Sequence, residues 1–121
     1  MNSHLSAHDN QLKDRVEDYN SIIKDQEFHV AETTEIFFHD YVFWMGDLNF
    51  RLHEDYDATP EEFERLVYKK ECPKLFLFDQ LRYVMNRGEA FSELVEADPE
   101  FPPTFKFEVG TDRYDHKYVY W

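Results

Sequence analysis

Cysteine is almost missing: Cys72 stands alone among 121 residues. A single thiol excludes an internal disulfide framework and makes a reducing compartment the default. No uninterrupted apolar run is long enough for a membrane-spanning helix, and no secretory signal pattern opens the chain. Positive charge is scarce, with 13 Lys and Arg against 26 Asp and Glu, a formal net charge of −13. That balance argues against a nonspecific nucleic-acid binder, which carries a basic face, and against simple electrostatic docking on anionic lipid. A local basic pocket remains compatible with it, because binding follows local potential. Internal repeats and low-complexity tracts are lacking as well.

Aromatic residues, in contrast, make up 18% of the chain, with 12 Phe and 8 Tyr, and the apolar positions are patterned rather than scattered. This excludes a disordered chain, and the length suits one domain with one modest core. The stretch that organises the rest is Asp40-Tyr41-Val42-Phe43-Trp44-Met45-Gly46-Asp47-Leu48-Asn49-Phe50-Arg51-Leu52. Tyr41 to Met45 reads as a strand with apolar groups on both faces, hence an interior strand. Gly46 breaks the run and lets the backbone turn. Asp47, Asn49 and Arg51 follow at alternate positions, so an extended chain projects all three the same way. A carboxylate that orients or deprotonates water, a carboxamide that donates to a phosphoryl oxygen and a guanidinium that pairs with phosphate suit a phosphate ester. The same residues also read as an ordinary polar strand end, since Asp, Asn and Gly are turn formers.

Elsewhere the periodicity predicts a helix with the stripe Leu12, Val16, Tyr19 and Ile23, capped by Asp9 or Asn10, with Lys13, Asp14, Glu17, Asp18 and Lys24 in solvent. Residues 28–35 read as a loop, after which Ile36, Phe37 and Phe38 dock beside the interior strand. Residues 54–58 form an acidic loop, in which Glu54, Asp55 and Asp57 lack the glycine and distal Glu of a calcium-binding loop. Thr59-Pro60-Glu61-Glu62 is a capping box with Pro at the first helical position, Phe63, Leu66 and Val67 face inward, and Pro73 ends that helix. A second helix is predicted over residues 75–86, with Phe78, Leu81, Val84 and Met85 inward, Asp79 as a cap or solvent contact, and Gly88 as the C-terminal cap. Phe91, Leu94 and Val95 suggest a short turn. Phe101-Pro102-Pro103-Thr104 is rigid and extended. A strand at Phe105-Lys106-Phe107 would bury the two phenyl groups on one side and point Lys106 to the other.

Trp44-Met45-Gly46-Asp47-Leu48-Asn49-Phe50-Arg51 resembles the W-x-G-D-x-N-F/Y-R motif of the inositol polyphosphate 5-phosphatases, members of the exonuclease–endonuclease–phosphatase superfamily. Asn2-Ser3-His4-Leu5-Ser6-Ala7-His8 is similar to that family's N-S-H-L-x-A-H stretch, Asp79-Gln80-Leu81 to its D-Q-L helix, and Phe101-Pro102-Pro103-Thr104-Phe105-Lys106-Phe107 to its F-P-P-T-Y-K-F/Y segment. Four stretches in the right order cover nearly the whole chain. The wording of residues 39–44 leans toward the skeletal-muscle-and-kidney-enriched and proline-rich subgroup.

The resemblance implies an α/β fold, part of a four-layer α/β/β/α sandwich, and Mg²⁺-dependent hydrolysis of a phosphomonoester. It implies that Asp47 orients and deprotonates water, that Asn49 holds a phosphoryl oxygen, and that His4 bonds the same group. Arg51 would pair with substrate phosphate or with a site carboxylate, and Lys106 would hold the neighbouring ring phosphate. His8 gains little from the resemblance. The family's main metal carboxylate and its P-A-W-C-D-R and S-D-H segments have no counterpart here, and Val119 stands where a second substrate lysine is expected. Residues 1–115 therefore read as the central portion of a catalytic domain, truncated and weakly active or inactive, and residues 116–121 as a divergent tail. The implied substrate is a phosphoinositide or a soluble inositol polyphosphate. The implied setting is the cytoplasm, with peripheral membrane contact and no nucleic acid. Two rivals stand beside this reading: a non-catalytic interaction fragment of the same fold, and a nuclease of the superfamily. Phe50-Arg51, residues 101–107 and the acidic charge speak against the nuclease.

Overall fold

A computed structural model describes residues 1–8, 10–29, 34–53, 56 and 59–115. The chain forms two compact units, Met1–Asn49 and Phe50–Trp121. The single core expected from length is thus met as two groups of buried side chains. The sheet among the described residues, of two three-residue strands, offers too little apolar face to gather more.

In the first unit, strand β1 (Asn2–His4) pairs in parallel with β2 (Met45–Asp47), in the register Asn2 with Met45, Ser3 with Gly46 and His4 with Asp47. Helix α1 (Leu12–Asp25) is the crossover element between them, as parallel pairing requires. Leu5, Tyr19 and Ile36 are buried here. Ile36 opens the short 3₁₀ turn Ile36–Phe38. Trp44 lies against Tyr19, ring centroids 5.2 Å apart, and donates its indole N–H to Ser3 Oγ at 2.9 Å.

Three expectations are corrected in this unit. The regular strand covers Met45–Asp47 rather than the run before it, and that run is not buried on both faces. Tyr41, Phe43 and Met45 are 83%, 72% and 61% exposed, while Val42 and Trp44 alternate with them as half-buried. The face that carries Trp44 packs against Tyr19 of α1, and the face that carries Tyr41, Phe43 and Met45 is open. The N-cap of α1 is Gln11, with no side-chain cap; Asp9 lies outside the described residues. Asp18, expected in solvent, is half-buried and bonded, and the fully buried side chain of α1 besides Tyr19 is Arg15.

The second unit is built on helix α2 (Pro60–Tyr68), the 3₁₀ segment Cys72–Phe78 and helix α3 (Gln80–Asn86). Thr59 Oγ1 accepts from the Glu62 backbone N–H, the cap that the sequence pattern requires. Phe63, Leu66, Val67, Leu75 and Tyr114 form the core, with Leu52 and Tyr56 against it. Pro73 does not end α2. The helix stops earlier, where Lys70 takes a left-handed φ of 58° and Glu71 N–H reaches back to Leu66 O while Lys70 N–H reaches Val67 O, a Schellman closure. Pro73 instead sits near the start of the 3₁₀ segment, which also shortens the predicted second helix to Gln80–Asn86. Asp79 caps α3, its Oδ1 accepting from Arg82 N–H at 2.8 Å, and Gly88 closes it with φ 69° in the same Schellman pattern.

Beyond α3, Pro103 is fully buried and its carbonyl accepts from the Tyr114 hydroxyl at 2.8 Å. Phe107 bridges Tyr114 in antiparallel fashion and stacks on its ring. The phenyl groups flanking Lys106 are not buried as expected: Phe105 and Phe107 stay exposed, because the pairing is a single bridge rather than a packed strand. Among the described residues no helix is long and apolar enough to cross a membrane.

Candidate functional site

The site follows from the parallel pairing. His4 ends β1, Asp47 ends β2, and the register sets them side by side, with His4 Nε2 3.7 Å from Asp47 Oδ2. Both side chains are largely exposed, 73% and 65%, and so open to a ligand from solvent. Gly46 makes the approach possible. A Cβ there would lie 1.9 Å from the Ser3 carbonyl oxygen, and its φ of 135° is itself a glycine conformation.

Asn49 joins the pair by a route other than strand alternation. Its backbone turns to φ 57°, its N–H donates to Asp47 Oδ1 at 3.2 Å, and its Nδ2 donates to Leu5 O at 2.9 Å. Leu5 N–H in turn donates to Asp47 O at 3.0 Å. Asn tolerates this left-handed turn better than most residues. Asp47, Asn49 and His4 therefore share one corner, through a turn at Asn49 rather than an extended chain. Arg51 belongs to the second unit, where its backbone pairs with buried Gln80: Arg51 N–H donates to Gln80 Oε1 and Gln80 N–H to Arg51 O. Lys106 is in that unit too, its Nζ 3.6 Å from Asp115 Oδ2, with Asp115 N–H donating to Lys106 O at 2.8 Å. His8 is exposed, with φ 79°, and its carbonyl accepts from Arg15 and from the Gln11 backbone N–H.

One feature was beyond reach of the motifs. An open cleft of about 520 Å³ runs from His4 along Leu5 and Ser6 to Asp18, Ser21 and Ile22 of α1. Asp18 lines it, while Arg15 is fully buried on the same helix. Arg15 lies three residues from Leu12 and four from Tyr19, which places it on the apolar side of α1 and was the available signal.

The groups at this corner are of the kinds that can serve a phosphate ester. A carboxylate accepts from water, an imidazole beside it donates or accepts, and a carboxamide fixes the backbone while presenting a second N–H donor. A hard cation such as Mg²⁺ calls for near-octahedral oxygen ligands. Among the described residues no group of three or more His, Cys, Asp or Glu side chains gathers to hold a metal ion. One carboxylate and one imidazole do not fit a resident Mg²⁺. Glu54, Asp55, Asp57 and Val119 lie outside the described residues.

The profile of Endonuclease/Exonuclease/phosphatase family 2 matches residues 1–119. The chain belongs to this family. As a family 2 member it is 41% identical over 113 residues to synaptojanin-2 of Rattus norvegicus, which spans 93% of this chain and 7% of that protein. It is 37% identical over 115 residues to inositol-1,4,5-trisphosphate 5-phosphatase 1 of Schizosaccharomyces pombe, covering 95% of this chain and 10% of the relative. A solved inositol polyphosphate 5-phosphatase domain of SPsynaptojanin, in complex with inositol (1,4)-bisphosphate and calcium ion, superposes with a TM-score of 0.79 at 38% identity, over 94% of this chain and 32% of that one. The fold is therefore that of the endonuclease/exonuclease/phosphatase α/β domain, of which this chain shows helices and a parallel strand pair. These comparisons do not decide the subgroup toward which residues 39–44 lean.

Proposed function

We propose that the chain carries the phosphate-ester corner of an inositol polyphosphate or phosphoinositide 5-phosphatase. The observation that carries this reading is the β1–β2 register, which sets His4 beside Asp47 and leaves Asn49 tethered on Leu5. The names of the relatives, and the inositol bisphosphate bound by the solved domain, supply the substrate class. In the proposed reaction Asp47 orients the attacking water and takes its proton, Asn49 holds a phosphoryl oxygen as charge builds on it, and His4 bonds the same group. Arg51 pairs with substrate phosphate or with a site carboxylate, and Lys106 reads the neighbouring ring phosphate. The cation, Mg²⁺ by resemblance, supplies charge stabilisation in a complete domain and is proposed to be held mainly by carboxylates other than those described.

Residues 1–115 are accordingly taken as a central portion of the catalytic domain and residues 116–121 as divergent. The proposed setting is cytoplasmic, at or near membranes. The acidic net charge of −13 supports the exclusion of nucleic acid as a partner. A non-catalytic interaction fragment is the second reading, favoured by the lack of a metal-holding cluster among the described residues and by the exposed row Tyr41, Phe43 and Met45.

Phosphate release from phosphatidylinositol 4,5-bisphosphate micelles with Mg²⁺ tests the choice. With no cation cage among its described residues, the 121-residue protein is expected to run slower than a complete domain by about three orders of magnitude or more, with the residual rate removed by Asp47→Asn. Release that Asp47→Asn leaves unchanged would refute the assignment of the corner.

A further inference from the structure

Arg15 is fully buried, although a buried guanidinium is costly and is weak evidence for stability. An apolar side chain of that length would fill the space. What it could not do is donate from one Nη1 to both Ser6 O at 3.1 Å and His8 O at 2.8 Å. One turn further along α1, Asp18 Oδ2 accepts from the Ser6 backbone N–H at 2.8 Å and from Ser6 Oγ at 2.7 Å. Ser6 is thus held at its nitrogen, its carbonyl and its hydroxyl by two side chains of one helix. The residue before it is Leu5, whose carbonyl receives Asn49 Nδ2 and whose N–H reaches Asp47 O. The residues after it lead to His8 with φ 79°, a conformation that a non-glycine side chain keeps only when held.

We propose that Arg15 and Asp18 are positioning residues: by gripping Ser6 they fix Leu5, and through Leu5 they fix the Asp47–Asn49 turn. The contacts run α1 to Ser6 to Leu5 to Asn49, all within the first unit. The site's significance rests on the functional reading above, but the grip itself is a statement about Asn49 that does not.

The test is nuclear magnetic resonance of the labelled protein, following water exchange of the Asn49 side-chain amide and the Leu5 backbone amide. Arg15→Met is expected to speed both by about tenfold, and Asp18→Asn by a few fold, as lost charge-assisted hydrogen bonds loosen Leu5. Val16→Ala, half-buried on the same helix and outside the grip, lowers stability without touching Ser6 and is expected to leave the Asn49 exchange unchanged. Equal acceleration in all three variants, or none in Asp18→Asn, overturns the proposal. Should Arg15→Met fail to fold, Asp18→Asn against Val16→Ala decides alone. Failure of the functional reading would show elsewhere, as wild-type protein that binds no inositol phosphate.

Discussion

A methyl group at position 46 would meet the Ser3 carbonyl at 1.9 Å, and backbone cannot yield as a flexible side chain can. Gly46→Ala is therefore expected to cost about 3 kcal/mol and to undo the β1–β2 pair, measured by urea denaturation. Gly110→Ala is the control: φ is 77° but nothing lies within 4 Å of the added Cβ, so only the conformational cost of about 1 kcal/mol is expected. Burial pushes the Asp79 carboxyl above the ordinary value, more than the Arg82 backbone N–H and guanidinium pull it down. Burial, with the Asp79 charge next, likewise raises Glu96. A raised folded value means that the native state keeps a proton which the unfolded chain has released. The resulting stability is full below the unfolded value of about 4 and is lost as pH rises through the folded one. Asp79→Asn keeps a good cap. It is expected to gain on the wild type between acid and neutral pH in denaturation curves; parallel curves would contradict the assignment.

Elements were legible where local chemistry decides them. Thr59-Pro60-Glu61-Glu62 starts a helix from its own residues, Asp79 caps the next, and Gly88 ends it; none needs a distant partner. Thr59→Ala is expected to cost about 1 kcal/mol in thermal or urea melts. Lys70 occupies in α2 the place that Gly88 fills in α3, so Lys70→Gly is expected to gain up to about 1 kcal/mol, while Gly88→Ala loses a similar amount. Sequence misled where a neighbouring element decides. The run from Tyr41 to Met45 reads as interior, but whether both faces are covered depends on strands outside its own pattern. Pro73 carried a stop signal that the left-handed Lys70 had already delivered. Arg15 was passed over because a charge on a helix is read as solvated, and the carbonyls of Ser6 and His8 that receive it lie outside its helix.

For the molecule as a whole, the motifs carried the family and the fold class, since each is a local string with a fixed chemical task. They also named His4, Asp47 and Asn49, which β1, β2 and the turn after β2 bring to one corner. The means was less legible: alternation predicted an extended chain through Asp47 and Asn49, whereas a left-handed Asn49 turns back to bond Asp47 and Leu5. Arg51 and Lys106 belong to the second unit, so their roles rest on the functional proposal. Titration of isotope-labelled protein with inositol 1,4-bisphosphate shows whether the corner of His4, Asp47 and Asn49 receives an inositol phosphate. The account predicts saturable shifts of the amides of Leu5, Asp47 and Asn49 and of the His4 ring, lost in Asn49→Ala. Absence of binding, or shifts that leave these four residues still, would contradict it.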